Sequence, residues 1–560
     1  MSSAEIHLKA ILSTETSRLR KSYPSKDVIF PLIEIIRSLD YNHFILSHHT
    51  DSESAFLLEK YKFGWSRAFA EFYKDLNLSD NIPLFLFNRP EREWVDSIVQ
   101  HAGSIGLCGQ LLDYCKANLM TVKKGINTFT FRPLYEDIGT EYFERLSLAF
   151  YHSVTGKILE HKSTPLMQQL PEMRKKLKEI ISVINNNFIQ YKATPEIDLF
   201  YSTFGYLYLM TTQVIDDFGE DDFFGGIKYR RYIDFAQDLF KAIIMHRDCC
   251  MAAEIKTSYQ VFLKDILTYA FSKNSFINNY SRYTGWSKEE IDQILSCFTL
   301  GKENIDYHLC HPSVSAPPYI TLGQDTMMRS AYGSIDRPVF FLNRELKRRF
   351  PKDYFNAVNN REKRFRDQLY SMFPNDRIIK VNGNINIKSG KLVTDIDAAL
   401  YDKERKSLGL FQLKWQDTFS ASMKERYSRI TNLIPKSVEW IDKIIHWIST
   451  GDVNTIARTL KLESKIDNIE NIYLFVLSRN HVHFTNEKLD DRAIWASWYQ
   501  MFEASAKIKD PTNSDPIGEL AAILKVSNPE KRKLLERLPE IRDMHFKFSK
   551  YKVSVVSSKI

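Results

Sequence analysis

The chain has 560 residues, of which 44% are hydrophobic and 26% charged, and it carries a formal net charge of +8. That length exceeds one typical core and predicts two or three domains. An ordinary apolar content with 20 Gly and 19 Pro excludes a collagenous or largely disordered chain, and +8 alone is a weak sign of a polyanionic partner.

The N-terminal stretch carries charges throughout and lacks the apolar run of a secretory signal. Residues 1 to about 310 show the i, i+3, i+4 spacing of helices, as in Val28 to Leu39. The longest uncharged run, Leu199 to Ile215, is 17 residues long and holds Ser, Thr, Gln and Gly, which predicts a buried helix, not a membrane span. The acidic turn at 216–226 predicts an exposed helix-to-helix loop. The six cysteines form no CxxC pair and read as reduced, buried thiols of a cytoplasmic protein. A Pro- and Ser-rich stretch, 311–326, breaks the helical pattern and closes a mainly helical domain over 1–325.

A helix is predicted within 341–373, and residues 341–380 hold eleven Lys or Arg against five Asp or Glu, a basic run suited to nucleic acid. Strands are predicted at 377–388, 391–402 and 408–415, then a helix from 420 to about 448 and a strand over 471–484. Helical signals return at 490–507 and 516–525, so 486–560 is expected to be a helical extension packing on the preceding domain, 326–485. The predicted class is an α+β multidomain chain: a mainly helical N-terminal region, an α/β core in the order α-β-β-β-α-β, and a helical C-terminal extension.

The chemistry concentrates in "TDIDAAL" (394–400) and "FQLKW" (411–415). Side chains alternate along a strand, so Asp395 and Asp397 share a face, as do Gln412 and Lys414. Two neighbouring strands could then gather a carboxylate, an amide oxygen and an ammonium. Mg²⁺ takes hard oxygens and needs only one or two carboxylates beside phosphate and water. A lysine can orient the attacking water and offset charge developing on phosphorus. On the preceding helix, the apolar positions Phe355, Val358, Phe365, Leu369 and Met372 leave Glu362 to complete the stripe. An inward acid needs a partner, either Arg366 one turn on or a metal.

This order of elements, with Glu362 on the helix, Asp397 after a hydrophobic residue and the Gln412–Lys414 pair, resembles the PD-(D/E)xK, or restriction-endonuclease-like, superfamily. "FQLKW" is similar to its third motif in the QxK form of Mrr-type restriction nucleases. The resemblance covers residues 341–485 and implies a Mg²⁺-dependent endonuclease, with Mn²⁺ able to substitute, hydrolysing phosphodiesters of nucleic acid, DNA above all. It implies metal ligands at Asp397, Glu362 and Gln412 and a catalytic role for Lys414. Gln412 replaces the commoner glutamate and removes one negative charge, which also admits a decayed, non-cleaving domain that binds nucleic acid or protein. Lys424, Arg426 and Arg429, on the helix that follows, could meet phosphates, and Gln416 shares the face of Gln412 if the strand continues. By analogy, the helical region would be a sensor or target-recognition module of restriction or anti-phage defence, or a surface for a protein partner or a second copy, with no membrane partner.

Overall fold

The computed structural model describes residues 2–19, 21, 28–78, 84–135, 141, 165–184, 188–255, 261–309, 315–389, 391–417, 422–462, 468–508, 514–527 and 544–556. Helices α1 (Ser3–Leu19), α2 (Ile29–Leu46), α3 (Ser52–Tyr73) and α4 (Arg89–Lys116) build the first core. The side chain of Asp51 caps α3 by accepting from Ser54 N. α3 and α4 approach closely because each presents a glycine to the other. A Cβ on Gly64 would lie 1.9 Å from the Val99 carbonyl oxygen, and one on Gly103 would lie 2.1 Å from that of Lys60.

A hairpin, β1 (Met120–Lys124) and β2 (Thr128–Pro133), packs on these helices. A second core forms around α5 (Pro195–Thr212) and α6 (Tyr229–Ile255). The uncharged run lies mostly in α5, which is half-buried: Tyr201 and Leu209 face the core while Leu199 is exposed. A small sheet belongs to this region too, with β3 (Tyr269–Ser272), β4 (Thr299–Leu300), β5 (Tyr319–Thr321) and β6 (Thr326–Arg329) in the order β3-β6-β5-β4. Residues 326–329 therefore belong to the N-terminal body, and the chain leaves it later than the predicted boundary. Five of the cysteines are described; all are buried and free.

The predicted helix at 341–373 is two helices, α7 (Pro338–Arg349) and α8 (Pro351–Ser371), with Pro351 starting the second. α8 joins two cores: Tyr354 and Ala357 pack into the second core, and Phe365, Leu369 and Tyr370 into a third.

The strands that follow are β7 (Ile378–Lys380), β8 (Ile385–Ser389), β9 (Lys391–Ile396), β10 (Ala398–Asp402) and β11 (Ser407–Lys414). After helix α9 (Met423–Thr450) come β12 (Asn471–Ser478) and β13 (Ile494–Ser497). The main sheet runs β7-β10-β11-β12-β13, antiparallel up to β11 and parallel from there on. β8 and β9 form a separate hairpin.

Two predicted strands are each split. The turn at 381–384 includes Gly383 at φ 77°, a conformation favouring glycine, and separates β7 from β8. A bend at Asp397 separates β9 from β10. Of the sheet's two faces, one carries Phe411, Leu413, Phe475 and Leu477 against α8, α10 (Trp498–Ser505) and α11 (Pro516–Ser527). The other carries Leu408, Leu410 and Val476 against Ile430, Leu433 and Ile441 of α9. The result is a helix–sheet–helix sandwich.

The C-terminal region corrects the expectation of an all-helical extension on this sandwich. Residues 494–497 add a fifth strand, and Ser497 with Gln500 forms the capping box that starts α10. β14 (Met544–Phe548) and β15 (Tyr551–Val555) leave the sandwich altogether. β15 pairs parallel with β2, so the end of the chain completes the N-terminal sheet β1-β2-β15-β14. In this place the two strands alternate: Phe546, Phe548, Val553 and Val555 are buried among α1–α4, while His545, Lys547 and Lys552 face outward.

Candidate active site

Asp397 sits at the bend between β9 and β10, not within a strand. Its main chain is pinned on both sides: its N–H donates to the Phe411 carbonyl at 3.1 Å, and its carbonyl accepts from Arg366 Nη1 at 2.9 Å. The carboxylate is buried against β11, where Oδ2 accepts from Leu413 N at 2.6 Å and from Gln412 Nε2 at 2.7 Å. Burial pushes the carboxyl up to about 6, against the pull of the Lys414 ammonium and together with the push of Glu362.

Gln412 and Lys414 share a face of β11, the face toward α9, as alternation predicts. Anchoring the NH₂ end of Gln412 on Asp397 turns its carbonyl oxygen away and leaves it able to serve as a ligand. Lys414 lies opposite Ser478 in the β11–β12 register.

Glu362 does not lie on the inward stripe of α8. That stripe runs through Tyr354, Ala357, Arg361, Phe365 and Leu369, while Phe355 is 58% exposed. Glu362 is 40% exposed, and its Oε1 accepts from Asn384 Nδ2 and stands 4.0 Å from Arg366 Nη1. Arg366 spends its donors on Asn384 and the Asp397 carbonyl, so it ties helix, hairpin and bend together.

Asp395 projects from the β8–β9 hairpin opposite Asn386, and its carbonyl accepts from Trp440 Nε1 at 2.7 Å. The bend at Asp397 interrupts the strand alternation that would have put both aspartates on one face.

The residues proposed for nucleic-acid contact divide. Lys424 is exposed. Arg429 donates through Nε to the Asp417 carbonyl at 2.8 Å, and its own carbonyl accepts from Gln416 Nε2 at 3.0 Å. Arg426 does not face solvent: it is buried against Glu141.

The basic run of 341–380 is not an open cationic surface either. Arg348 and Arg349 pair with Glu345, Arg361 with Asp417, Arg364 with Asp222, and Arg377 with Asp402. The acidic turn at 216–226, expected to be an exposed loop, supplies part of this pairing. Asp217 gives its carbonyl to Arg361 and Arg364, and Asp216 pairs with Arg479.

Buried polar atoms without a hydrogen-bond partner among the described residues are scattered through the molecule, and several of them lie at or just past the carboxyl ends of β11 and β12. They include Gln416 Oε1, Ser478 Oγ and Thr485 Oγ1, all buried. Buried polar atoms are nearly always satisfied, so a group of unsatisfied ones marks a place where water or a ligand supplies the partners. Ligands of open α/β sheets bind at this end of the strands. Nothing in the sequence singles out Ser478 or Thr485: each is a lone hydroxyl near the end of an apolar run, outside any motif.

The donor set suits a hard cation. Asp397 and Glu362 offer carboxylate oxygens and Gln412 an amide oxygen, the kind and number Mg²⁺ takes when substrate and water complete its shell. The described residues contain no cluster of three or more His, Cys, Asp and Glu side chains, so a cation here would depend on that amide and on substrate oxygens. No described helix is long and apolar enough to cross a membrane. No protein-family profile matches the chain, and neither curated proteins nor solved structures show significant similarity to it.

Proposed function

We propose that the sandwich of α8, α9 and the five-stranded sheet is a Mg²⁺-dependent phosphodiesterase centre that cuts nucleic acid internally, with DNA as substrate. The observation that carries this reading is the buried Asp397 carboxylate, which accepts from Gln412 Nε2 and from the Leu413 N–H on the strand that carries Lys414. Asp397, Gln412 and Glu362 would hold the cation. Bound there, it would polarise the scissile phosphate and lower the pKa of a water.

The chain's own residues have separate tasks. Arg366 fixes the bend that aims Asp397. Asp397 fixes the amide of Gln412. The Lys414 ammonium orients the attacking water and offsets charge developing on the phosphate oxygens. The PD-(D/E)xK resemblance of the sequence supports the same roles. The helical body, joined to α8 through the acidic turn, would recognise the target or a partner, as in restriction or anti-phage defence.

One observation favours a second reading, a non-cleaving binding module. Gln412 brings no charge, and Glu362 is 40% exposed, so Asp397 is the one fully buried acid of the set. Incubating the protein with supercoiled plasmid, single-stranded DNA and RNA in Mg²⁺, Mn²⁺ or EDTA separates the two. The enzyme reading expects metal-dependent nicking of plasmid. Binding without nicking under every metal condition would establish the module instead.

A further inference from the structure

An acidic side chain of the N-terminal body sits inside a pocket built by the sandwich. Arg426, in the first turn of α9, is 5% exposed and Glu141 is 6% exposed. Arg426 donates from Nε to Glu141 Oε1 at 2.8 Å and Oε2 at 3.1 Å, and from Nη2 to Oε2 at 2.8 Å. The main-chain N–H of Thr485 donates to the same Oε2 at 2.9 Å. The Thr485 carbonyl accepts from Arg426 Nη2 at 3.1 Å, which holds the donors as one unit.

One guanidinium edge with one main-chain amide binds a phosphate as readily as a carboxylate. The carboxylate leaves part of this pocket unused. Thr485 Oγ1 is buried and has no hydrogen-bond partner among the described residues, so the residue that supplies the amide donor also carries an unused hydroxyl. A phosphodiester brings more acceptors. The pocket also borders the proposed centre: Arg429, one turn along α9, takes the amide of Gln416, two residues past Lys414.

We propose that Arg426 and Thr485 form a phosphate-binding subsite for the nucleic-acid backbone, and that Glu141 occupies it as an internal competitor. The proposal rests on the phosphodiesterase reading of this end of the sheet, and it names a subsite and a form of self-regulation that the reading does not. A purely structural brace would use the same ion pair, but its removal would not improve binding of a polyanion.

The test is a fluorescence-anisotropy titration of a short labelled DNA duplex in EDTA, where binding is read without cleavage. Glu141→Gln, checked for folding by its melting curve, should bind about tenfold tighter than wild type. Its plot of log affinity against log salt should steepen by about 0.9, the release expected for one added phosphate contact. Adding Arg426→Gln to Glu141→Gln should cancel both changes. Glu141→Asp, which keeps the charge but draws the carboxylate back by one methylene, should shift affinity the same way by a smaller factor and serves if the glutamine variant does not fold. Unchanged or weaker DNA binding by a folded variant overturns the proposal, and so does failure of both variants to fold, which would make Glu141 a brace. Tighter binding without Mg²⁺-dependent cleavage in any variant would instead retain the subsite and reject the catalytic reading.

Discussion

Arg361→Ala tests how the helical body holds the helix that carries Glu362. The guanidinium of Arg361 is 3% exposed, donates to Asp417 Oδ1 at 2.5 Å and to the Asp217 carbonyl at 2.8 Å, and lies 4.7 Å from the centre of the Phe218 ring. A fully buried pair loses about 3–5 kcal/mol when one partner is removed, whereas an exposed pair loses about 0–1 kcal/mol. Asp417 is 32% exposed and can be rehydrated, so its share falls between these limits, about 1.5 kcal/mol. The charged bond to the Asp217 carbonyl adds about 1.5 kcal/mol, and the ring contact about 1 kcal/mol. These contributions overlap, and the expected loss is about 3 kcal/mol. Urea unfolding followed by tryptophan fluorescence measures it, since Trp415 lies beside Arg361 at 5.9 Å. In a double-mutant cycle with Asp417→Ala the coupling should be about 1.5 kcal/mol. A loss below about 1 kcal/mol, or additivity of the two substitutions within about 0.5 kcal/mol, would refute the view that this arginine clamps the two bodies together.

Further consequences are as direct. Burial, with Asp417 and Asp216 adding repulsion against the pull of Arg361, raises the Asp217 carboxyl from its ordinary 3.8 to about 6. Between those values the folded state binds more protons than the unfolded one, so this group lowers stability as pH rises from about 4 to about 6 and keeps it lowered above that. Asp217→Asn removes that loss: its urea midpoint should match wild type near pH 4 and exceed it at pH 7, and equal midpoints at both would contradict the argument. Gly64→Ala puts a Cβ 1.9 Å from the Val99 carbonyl oxygen and should cost about 3 kcal/mol or more. Gly109→Ala on α4 meets nothing within 4 Å and should be neutral or gain up to about 1 kcal/mol of helix propensity, as read by thermal melting of the two variants.

Much of the sandwich can be read from local pattern. β11 and β12 are apolar runs buried on both faces, and α9 and α11 keep helical spacing across their length. Gln412 and Lys414 share a face because β11 is regular through both. Strict alternation also predicts Asp397 beside them, but a bend falls at that residue, and hydrophobic pattern carries no sign of it. Apolar spacing that counts Phe355 as inward carries Glu362 onto the same stripe; Arg361 takes the inward position instead, and a paired arginine reads in sequence like a solvated one.

The remaining differences are long-range. The arginines of 341–380 look like a nucleic-acid surface until acids elsewhere in the chain are folded against them, Asp402 on Arg377, Asp417 on Arg361 and the distant Asp222 on Arg364. The alternation in 544–555 marks two strands, but nothing local says that they complete a sheet begun at residue 120. Residues 494–497 form a strand although the window around them has helical spacing, and the capping box at Ser497 was the local sign that the helix starts only there.

The central claim is that Lys414 and Asp397 serve chemistry at this end of the sheet, and single-turnover cleavage of plasmid DNA tests it most directly. Wild type, Lys414→Ala and Asp397→Ala are compared in Mg²⁺ at equal folded fraction, each checked by its melting curve. Metal-dependent cleavage by wild type, with a loss of at least about a hundredfold in Lys414→Ala and in Asp397→Ala, is the predicted result. Cleavage by folded Lys414→Ala at the wild-type rate would contradict it.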